Sequence, residues 1–461
     1  MPGPSAPAAL RNTPARKLAG AILLGLLLAV PLFATYLLVY DRESQSQVAR
    51  SSIVEGWGGA QTVAGPFLVI PFSRLVARET VENGRTVRRT DRQEELLFVA
   101  PSRSAIRSRI EAERRRRSIY EAVVYRSRVQ IRGQFRMPDF AALNVPLDSL
   151  RFAEAEVRVG IGNAKGLAGS RPVMLVGGQA RPLIPGSGLS ATSGSGFTAH
   201  APIAANAAPG AALGFDVAFD LRGSDALSFL PSAEQTTIQA DADWPHPSFS
   251  GAFLPNRAAG SPPFPANWQI GNLALNRPVV TIGEQATSAE DAVTIGLLDP
   301  IDLYSQVNRA TKYGFMFIGF TFLALLMFDI IGGAPVPGVA YLLIGAGLVL
   351  FFILLLALAE VIGFLGAYLI AGVAIVALIS SYSAAILHSW RRAGIVAALL
   401  GGLYGVLYVL LSLEAYSLLI GSVMLFAALA GVMFFTRRVN WSAIAPPAAA
   451  SGGQAVPTLD S

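Results

Sequence analysis

The side chains that most often carry enzymatic chemistry are sparse in this sequence. Cysteine is absent, which removes thiolate catalysis, disulfides and cysteine-ligated metals together. The three histidines, His200, His246 and His388, have neither a second histidine nor a carboxylate at zinc-ligand spacing, so no metal site is expected. No phosphate loop, zinc-protease signature or dinucleotide fingerprint occurs. The serines of 186–196 (GSGLSATSGSG) lack a G-x-S-x-G elbow and read as a flexible surface loop, where Gly and Ser serve steric needs. The expectation is a chain with no catalytic residue and no cofactor, and hence not an enzyme.

Two clusters are better suited to binding than to catalysis. Glu111 to Arg117 (EAERRRR) is the densest charge run. Arg114, Arg115, Arg116 and Arg117 either grip lipid headgroups, lipopolysaccharide phosphate or an acidic envelope polymer, or they form a solvated strand or helix face with Glu111 and Glu113 as partial counterions. The second reading is preferred. The other cluster is Trp244 to Phe249 (WPHPSF), where two prolines restrict the backbone around His246. A structural role, with the imidazole packed on Trp244, is preferred to catalysis, and Trp244, His246 and Phe249 stand beside the arginines as binding candidates.

The elements that must hold these residues follow from composition. With 52% hydrophobic and 14% charged residues the chain falls well below the ~25% charge of soluble domains. Five apolar segments, 313–331, 339–359, 362–382, 393–413 and 416–435, each approach the ~20 residues that cross a hydrocarbon core as helix. Charges stand at the breaks, at Asp329, Glu360, Arg391, Arg392, Glu414, Arg437 and Arg438. A sixth apolar run, 18–40, is too long for a signal-peptide core and lacks an A-x-A site, so it reads as an uncleaved anchor. Polar groups inside the bundle are few, which disfavours a conduit. Glu360 and Glu414 sit at the turns of two hairpins, 339–392 and 393–438, and are taken as structural turns.

Orientation follows from basic flanks. Arg11, Arg16 and Lys17 precede the anchor, and Arg391, Arg392, Arg437 and Arg438 fall on the same side, which places both termini in the cytoplasm and residues 41–312 outside. A net charge of +6 in such a protein points to anionic lipid rather than to nucleic acid. Residues 41–312 are rich in strand signals. The clearest is 120–135, where Val129, Ile131, Gly133 and Phe135 alternate with Gln130, Arg132 and Gln134. Further strands are expected at 66–76, 94–99, 155–161, 173–176, 211–221, 236–242, 268–275, 278–282 and 292–297. Helices are expected at 42–54 and 301–312. The fold class is thus a six-span α-helical membrane protein, one N-terminal anchor plus five C-terminal helices, with a large β-rich (α+β) periplasmic domain, either β-sandwich-like or a β-rich α+β fold. Disordered cytoplasmic tails over 1–17 and 439–461 complete it.

Several ordered motifs carry a family resemblance. They are Trp57 to Pro66 (WGGAQTVAGP), Ser118 to Tyr125 (SIYEAVVY), Leu221 to Pro231 (LRGSDALSFLP), Trp244 to Pro255 (WPHPSFSGAFLP) and Tyr313 to Leu323 (YGFMFIGFTFL). With the two glutamate hairpins, they resemble the CreD family of bacterial inner-membrane proteins, across roughly residues 18–441. The family departs from this chain at Ala122, where it more often carries valine or a similar residue. The resemblance implies a Gram-negative inner-membrane protein whose expression answers a two-component regulator linked to carbon source and β-lactam stress. It also implies that loss alters envelope integrity and colicin tolerance. It supplies no catalytic residues. The expected function is maintenance of the cell envelope through binding of membrane lipids and of an envelope lipid or protein on the periplasmic side. The alternative is a transporter or lipid flippase that uses the helix bundle.

Overall fold

The structure is a computed structural model and describes residues 14–82, 85–117, 120–204, 208–258, 264–285, 289–297, 303–330, 336–412 and 417–437. The expectations for Glu414, Arg438 and most of the two tails lie outside these residues. The chain divides into two compact units, one of Met1–Gln45 with Ile301–Ser461, the other Ser46–Pro300.

The first unit is helical. Helix α1 (Pro14–Trp57) begins in it and runs unbroken to Trp57, so the helix expected over 42–54 is its continuation. Pro31 lies inside α1, and the buried Thr35 hydroxyl donates to the Pro31 carbonyl at 2.9 Å. An amphipathic helix, α2 (Leu303–Lys312), follows the second unit, burying Tyr304, Val307, Ala310 and Thr311. Then come the apolar helices α3 (Gly314–Ile330), α4 (Gly338–Ile362), α5 (Phe364–Leu387), α6 (Trp390–Ser412) and α7 (Ser417–Thr436). Among the described residues, five helical stretches are long and apolar enough to cross a membrane: Leu18–Trp57, Leu303–Met327, Gly338–Ile362, Phe364–Leu387 and Trp390–Ser412. The sixth expected span coincides with α7. Apolar side chains left uncovered on the helices, such as Leu23, Leu26, Leu369 and Val373, suit a hydrocarbon surrounding.

Small residues let α1 approach the bundle closely, as is usual between helices in lipid. A Cβ added at Gly345 of α4 would collide with Leu28 Cδ1, and one at Gly314 would lie 2.8 Å from Leu32 Cδ1. Rings fill the middle of the bundle. Tyr404 of α6 lies 4.5 Å from Phe351 of α4 and 5.5 Å from Phe317 of α3, and the Tyr368 hydroxyl of α5 donates to the Tyr404 carbonyl at 2.6 Å. Glu360, near the end of α4, accepts from the Tyr304 hydroxyl of α2 at 3.1 Å.

The second unit is a two-sheet sandwich. In chain order its strands are β1 (Gln61–Glu82), β2 (Arg85–Val99), β3 (Arg103–Arg117), β4 (Tyr120–Arg136), β5 (Glu156–Ile161) and β6 (Val173–Val176). Next come β7 (Gln179–Ala180), β8 (Leu183–Pro185), β9 (Gly196–His200), β10 (Ala212–Ser224), β11 (Ala226–Leu230) and β12 (Gln235–Asp243). The last are β13 (Ser248–Gly251), β14 (Arg257–Ala258), β15 (Phe264–Gly271), β16 (Val280–Ile282) and β17 (Val293–Gly296). One sheet orders them β13-β17-β11-β1-β5-β9-β8, with β2 joined to β1 and β16 to β2; the other runs β14-β15-β12-β3-β4-β10-β6-β7. Pairing is antiparallel except for β1 with β11 and β12 with β3.

Period-two alternation builds the core between the sheets. Ile106 and Ile110 of β3, Val129, Ile131 and Phe135 of β4, and Val217 and Phe219 of β10 turn inward, where they meet Leu68, Ile70, Val157 and Val159 of the opposite sheet. Each such fully buried chain contributes about 1.5–3 kcal/mol. Phe197 of β9 meets Phe219 edge-on across the sheets at 5.8 Å. The strands depart from expectation in several places: β1 and β2 run well beyond 66–76 and 94–99, and β3, β9 and β11 lie outside the expected strands. β15 is Phe264–Gly271 rather than 268–275, because the chain turns after Gly271 and leaves Leu273 90% exposed. Residues 186–196, expected as a flexible loop, are tied by the Ser187 and Thr192 hydroxyls, which donate to the Ser195 carbonyl at 2.6 and 2.8 Å, and the chain leaves as strand β9.

Candidate functional site

The WGGAQ corner fixes where α1 ends. Gly58 and Gly59 have φ of +98° and +70°, a region that side chains resist, and a Cβ at Gly58 would lie 2.8 Å from Gln61 Nε2 and 2.9 Å from Gly166 Cα. The Gly59 N–H donates to the Val54 carbonyl at 2.9 Å and closes the last turn. Gln61, 1% exposed, then clamps the corner: Nε2 donates to the Gly58 carbonyl at 2.8 Å, and Oε1 accepts from the Asn163 N–H at 3.1 Å. The Ser224 N–H reaches back to the Gly59 carbonyl at 2.9 Å, tying the corner to the end of β10. Beside it the buried Tyr125 hydroxyl donates to the Ala226 carbonyl at 2.9 Å, and burial pushes its pKa well above the usual phenol range.

Trp57, held by this corner, is surrounded by guanidinium groups. Arg115 of β3, Arg222 of β10 and Arg126 of β4 lie 4.6, 5.1 and 5.6 Å from its ring centroid. An indole face attracts cations through its quadrupole, so one ring helps to hold three positive charges together. Arg115 also donates twice to Glu113 Oε1, at 2.9 Å. The Arg222 Nε is buried and has no hydrogen-bond partner among the described residues.

From this cluster an open cleft of about 870 Å³ extends along the outer face of the β12-β3-β4-β10 ribbon. Its lining carries Arg107, Arg109, Arg126, Arg128 and Arg222 against Glu111, Asp220 and Asp241. Register sets the pattern. Arg109 stands directly opposite Arg128, and Arg126 opposite Arg222, while Asp241 faces Arg109 and Glu111 faces Arg126 from their other sides. Like charges directly across a ladder oppose pairing. Among the described residues, one ion pair forms within this lining, from Arg128 Nε to Asp220 Oδ1 at 3.2 Å. The Ser170 hydroxyl, at 2.6 Å, is the main cause that holds the Asp220 carboxyl below its usual range. Partial burial opposes it, and the Ser170 N–H and Arg128 add to it.

The candidates named from sequence are distributed differently. Strand alternation divides the arginine run between two faces. Arg115 joins the Trp57 cluster, and Arg114 lies 5.6 Å over the Trp244 ring. Arg116 pairs with Glu121 at 2.5 Å, and Arg117 donates to the Ser52 hydroxyl. Arg114 and Trp244 are therefore brought together. Trp244 is otherwise buried in the sandwich core, and His246 is exposed. Phe249 packs edge-on against Trp268 at 5.7 Å. Glu360 holds α2 as described. The cleft arginines do not stand out in the sequence, because each alternates with buried residues. Their signal was the period-two spacing of Arg107 and Arg109 in β3 and of Arg126 and Arg128 in β4, which becomes a surface only when the two strands are paired. No group of three or more histidine, aspartate or glutamate side chains placed to hold a metal occurs among the described residues.

Apolar helices of membrane-crossing length, with a two-sheet β unit inserted between the first and the rest, define a polytopic α-helical membrane protein with a large inserted β domain. The family model described as "Inner membrane protein CreD" matches residues 13–442. The chain is 30% identical over 430 residues to the inner membrane protein CreD of Escherichia coli (strain K12), covering 92% of each. The chain belongs to the CreD family and is an inner membrane protein.

Proposed function

We propose that the chain is a non-enzymatic scaffold of the inner membrane that maintains envelope integrity, with its β domain presenting the arginine-lined cleft to an anionic envelope partner. The observation that carries this reading is the cleft itself: five arginines and three carboxylates on one open face, with, among the described residues, a single ion pair between them. The ring-filled interior of α3 to α6 supports holding over conducting. Basic residues around the start of α1 (Arg11, Arg16, Lys17), in the first turn of α6 (Arg391, Arg392) and after α7 (Arg437, Arg438) support cytoplasmic termini and a periplasmic β domain. As part of the same proposal, the protein is stress-responsive.

The test is genetic replacement. A strain carrying Arg109→Gln with Arg128→Gln should lose tolerance to envelope stress to the extent that a deletion does, with the protein present in the membrane at its normal level. Normal tolerance in that strain would remove the cleft from the function. Since the chain has no cysteine, single cysteines at Gln130 and Ser389 labelled by an impermeant maleimide in intact cells check orientation. Labelling is expected at Gln130 and not at Ser389, and the reverse pattern would invert the topology.

A further inference from the structure

The spacing of the cleft arginines specifies more than a general taste for anions. Arg126 and Arg128 are two residues apart on β4, so their Cα atoms lie about 6.8 Å apart along the strand and both side chains leave the same face. Each is matched by an arginine on a neighbouring strand, about 5 Å away, but on opposite sides: Arg222 on β10 beside Arg126, and Arg109 on β3 beside Arg128. The result is two arginine pairs, one per row, with centres about 8 Å apart when strand rise and strand spacing are combined. Flanking carboxylates bound the pairs. Glu111 closes the first row on the β3 side, and Asp241 and Asp220 close the second on the β12 and β10 sides.

A pair of adjacent guanidinium groups is a natural seat for a phosphate, because each offers a planar fork of donors and the second negative charge relieves their mutual repulsion. Among the described residues, the enclosed Nε of Arg222 has no hydrogen-bond partner. The Trp57 ring steadies Arg126 and Arg222 from one side and leaves their other faces to the cleft. Arg107, one row further along β3 opposite the uncharged Gln130, adds positive charge at the far end without a carboxylate facing it across that pair.

Resting on the binding role proposed above, we infer that the cleft recognises an anion carrying two phosphate groups about 8 Å apart, the span reached by two phosphates bridged through three carbons. A pyrophosphate, whose phosphorus atoms share one oxygen, is too short to engage both pairs, and a single phosphate engages one. A glycerol-bridged bisphosphate has the required span, whether free in solution or as the headgroup of a diphosphatidyl lipid.

The experiment uses the full-length chain purified in detergent, titrated calorimetrically with glycerol 1,3-bisphosphate, inorganic pyrophosphate and inorganic phosphate, and by native mass spectrometry with diphosphatidylglycerol and phosphatidylglycerol. The bisphosphate is expected to bind at least tenfold more tightly than phosphate or pyrophosphate. Arg109→Gln and Arg128→Gln should each weaken it about tenfold or more, since a charge-assisted hydrogen bond contributes that much. Arg132→Gln, whose partner Asp216 lies at 2.8 Å outside the cleft, should leave binding unchanged. Cleft-dependent binding of both the bisphosphate and the diphosphatidyl lipid identifies the headgroup as the recognised part. Cleft-dependent binding of the soluble ligand alone assigns a free bisphosphate. Equal affinity for phosphate and bisphosphate, or lipid binding indifferent to the cleft variants, overturns the inference. Either result leaves the scaffold reading standing if the same variants still fail in the envelope assay, so the two claims separate.

Discussion

Trp57→Leu isolates what one indole contributes to the basic face. Leucine keeps an apolar side chain over the sheet and removes the π face that three guanidinium groups share. A cation over an aromatic ring contributes about 0.5–1 kcal/mol when exposed and ~2 when desolvated. Arg115 and Arg126 are exposed and belong to the first class, whereas Arg222 is half-buried with an enclosed Nε and belongs nearer the second. The sum is about 3–4 kcal/mol, and because three cations compete for one ring about 2 kcal/mol of it is expected. Hydrogen exchange on the full-length chain in detergent reads this locally. Amides of β3, β4 and β10 near Arg115, Arg126 and Arg222 should open about 30-fold more often, the equivalent of ~2 kcal/mol. Trp57→Phe, which retains a weaker quadrupole, should recover part of the protection. If the Leu and Phe variants exchange alike, or if neither differs from the parent, the ring does not hold the arginines and the account of the cluster is wrong.

Tyr125→Phe deletes a buried donor and leaves the Ala226 carbonyl short of a partner, so the β domain should lose about 1–2 kcal/mol, measured as exchange at β4 and β11. In the membrane unit, Gly345→Val should lower the melting midpoint in detergent by driving a side chain into Leu28. Gly347→Ala, whose Cβ would find Ile379 Cδ1 at an ordinary 3.5 Å, should leave it unchanged. Asp220 titrates below the usual carboxylate range, so its stabilisation is complete above about pH 4 and is lost as pH falls through the depressed value. Exchange at residues 168–170 should therefore rise on acidification below about pH 4, and Asp220→Asn should abolish that pH dependence.

The helices were legible because lipid imposes a length and forbids charge, and no other constraint writes so plainly into sequence. Strand β6, at Val173–Val176, was readable from β-branched composition alone. β3 was obscured by its own charge. Its inner positions are Ser104, Ile106, Ser108 and Ile110, only two of them apolar, and the Ser108 and Ser127 hydroxyls satisfy each other at 2.9 Å. An alternation of serine and arginine looks polar throughout until the partner strand supplies the second hydroxyl. The cleft was hidden for a related reason: its arginines come from three strands whose adjacency depends on long-range pairing. The WGGAQ motif was visible as a string, but its meaning lay in two positive-φ glycines and a buried glutamine that aim Trp57 at side chains far along the chain.

The division of the chain also sets a schedule for its birth. Leu28 and Leu32 of α1 fit against Gly345 and Gly314, which belong to helices made only after the whole β unit, Ser46–Pro300, has emerged. At about 5–20 residues per second, those roughly 250 residues take about 12–50 s to synthesise. Throughout that interval the first span waits in the bilayer without its mates, its close-fitting leucine face open to lipid or to other helices. The β unit, whose two sheets pair strands from within Ser46–Pro300, is free to complete them during the same pause. Assembly of the helices is thus the last event, and any factor that shields a lone transmembrane segment has its opportunity in that window.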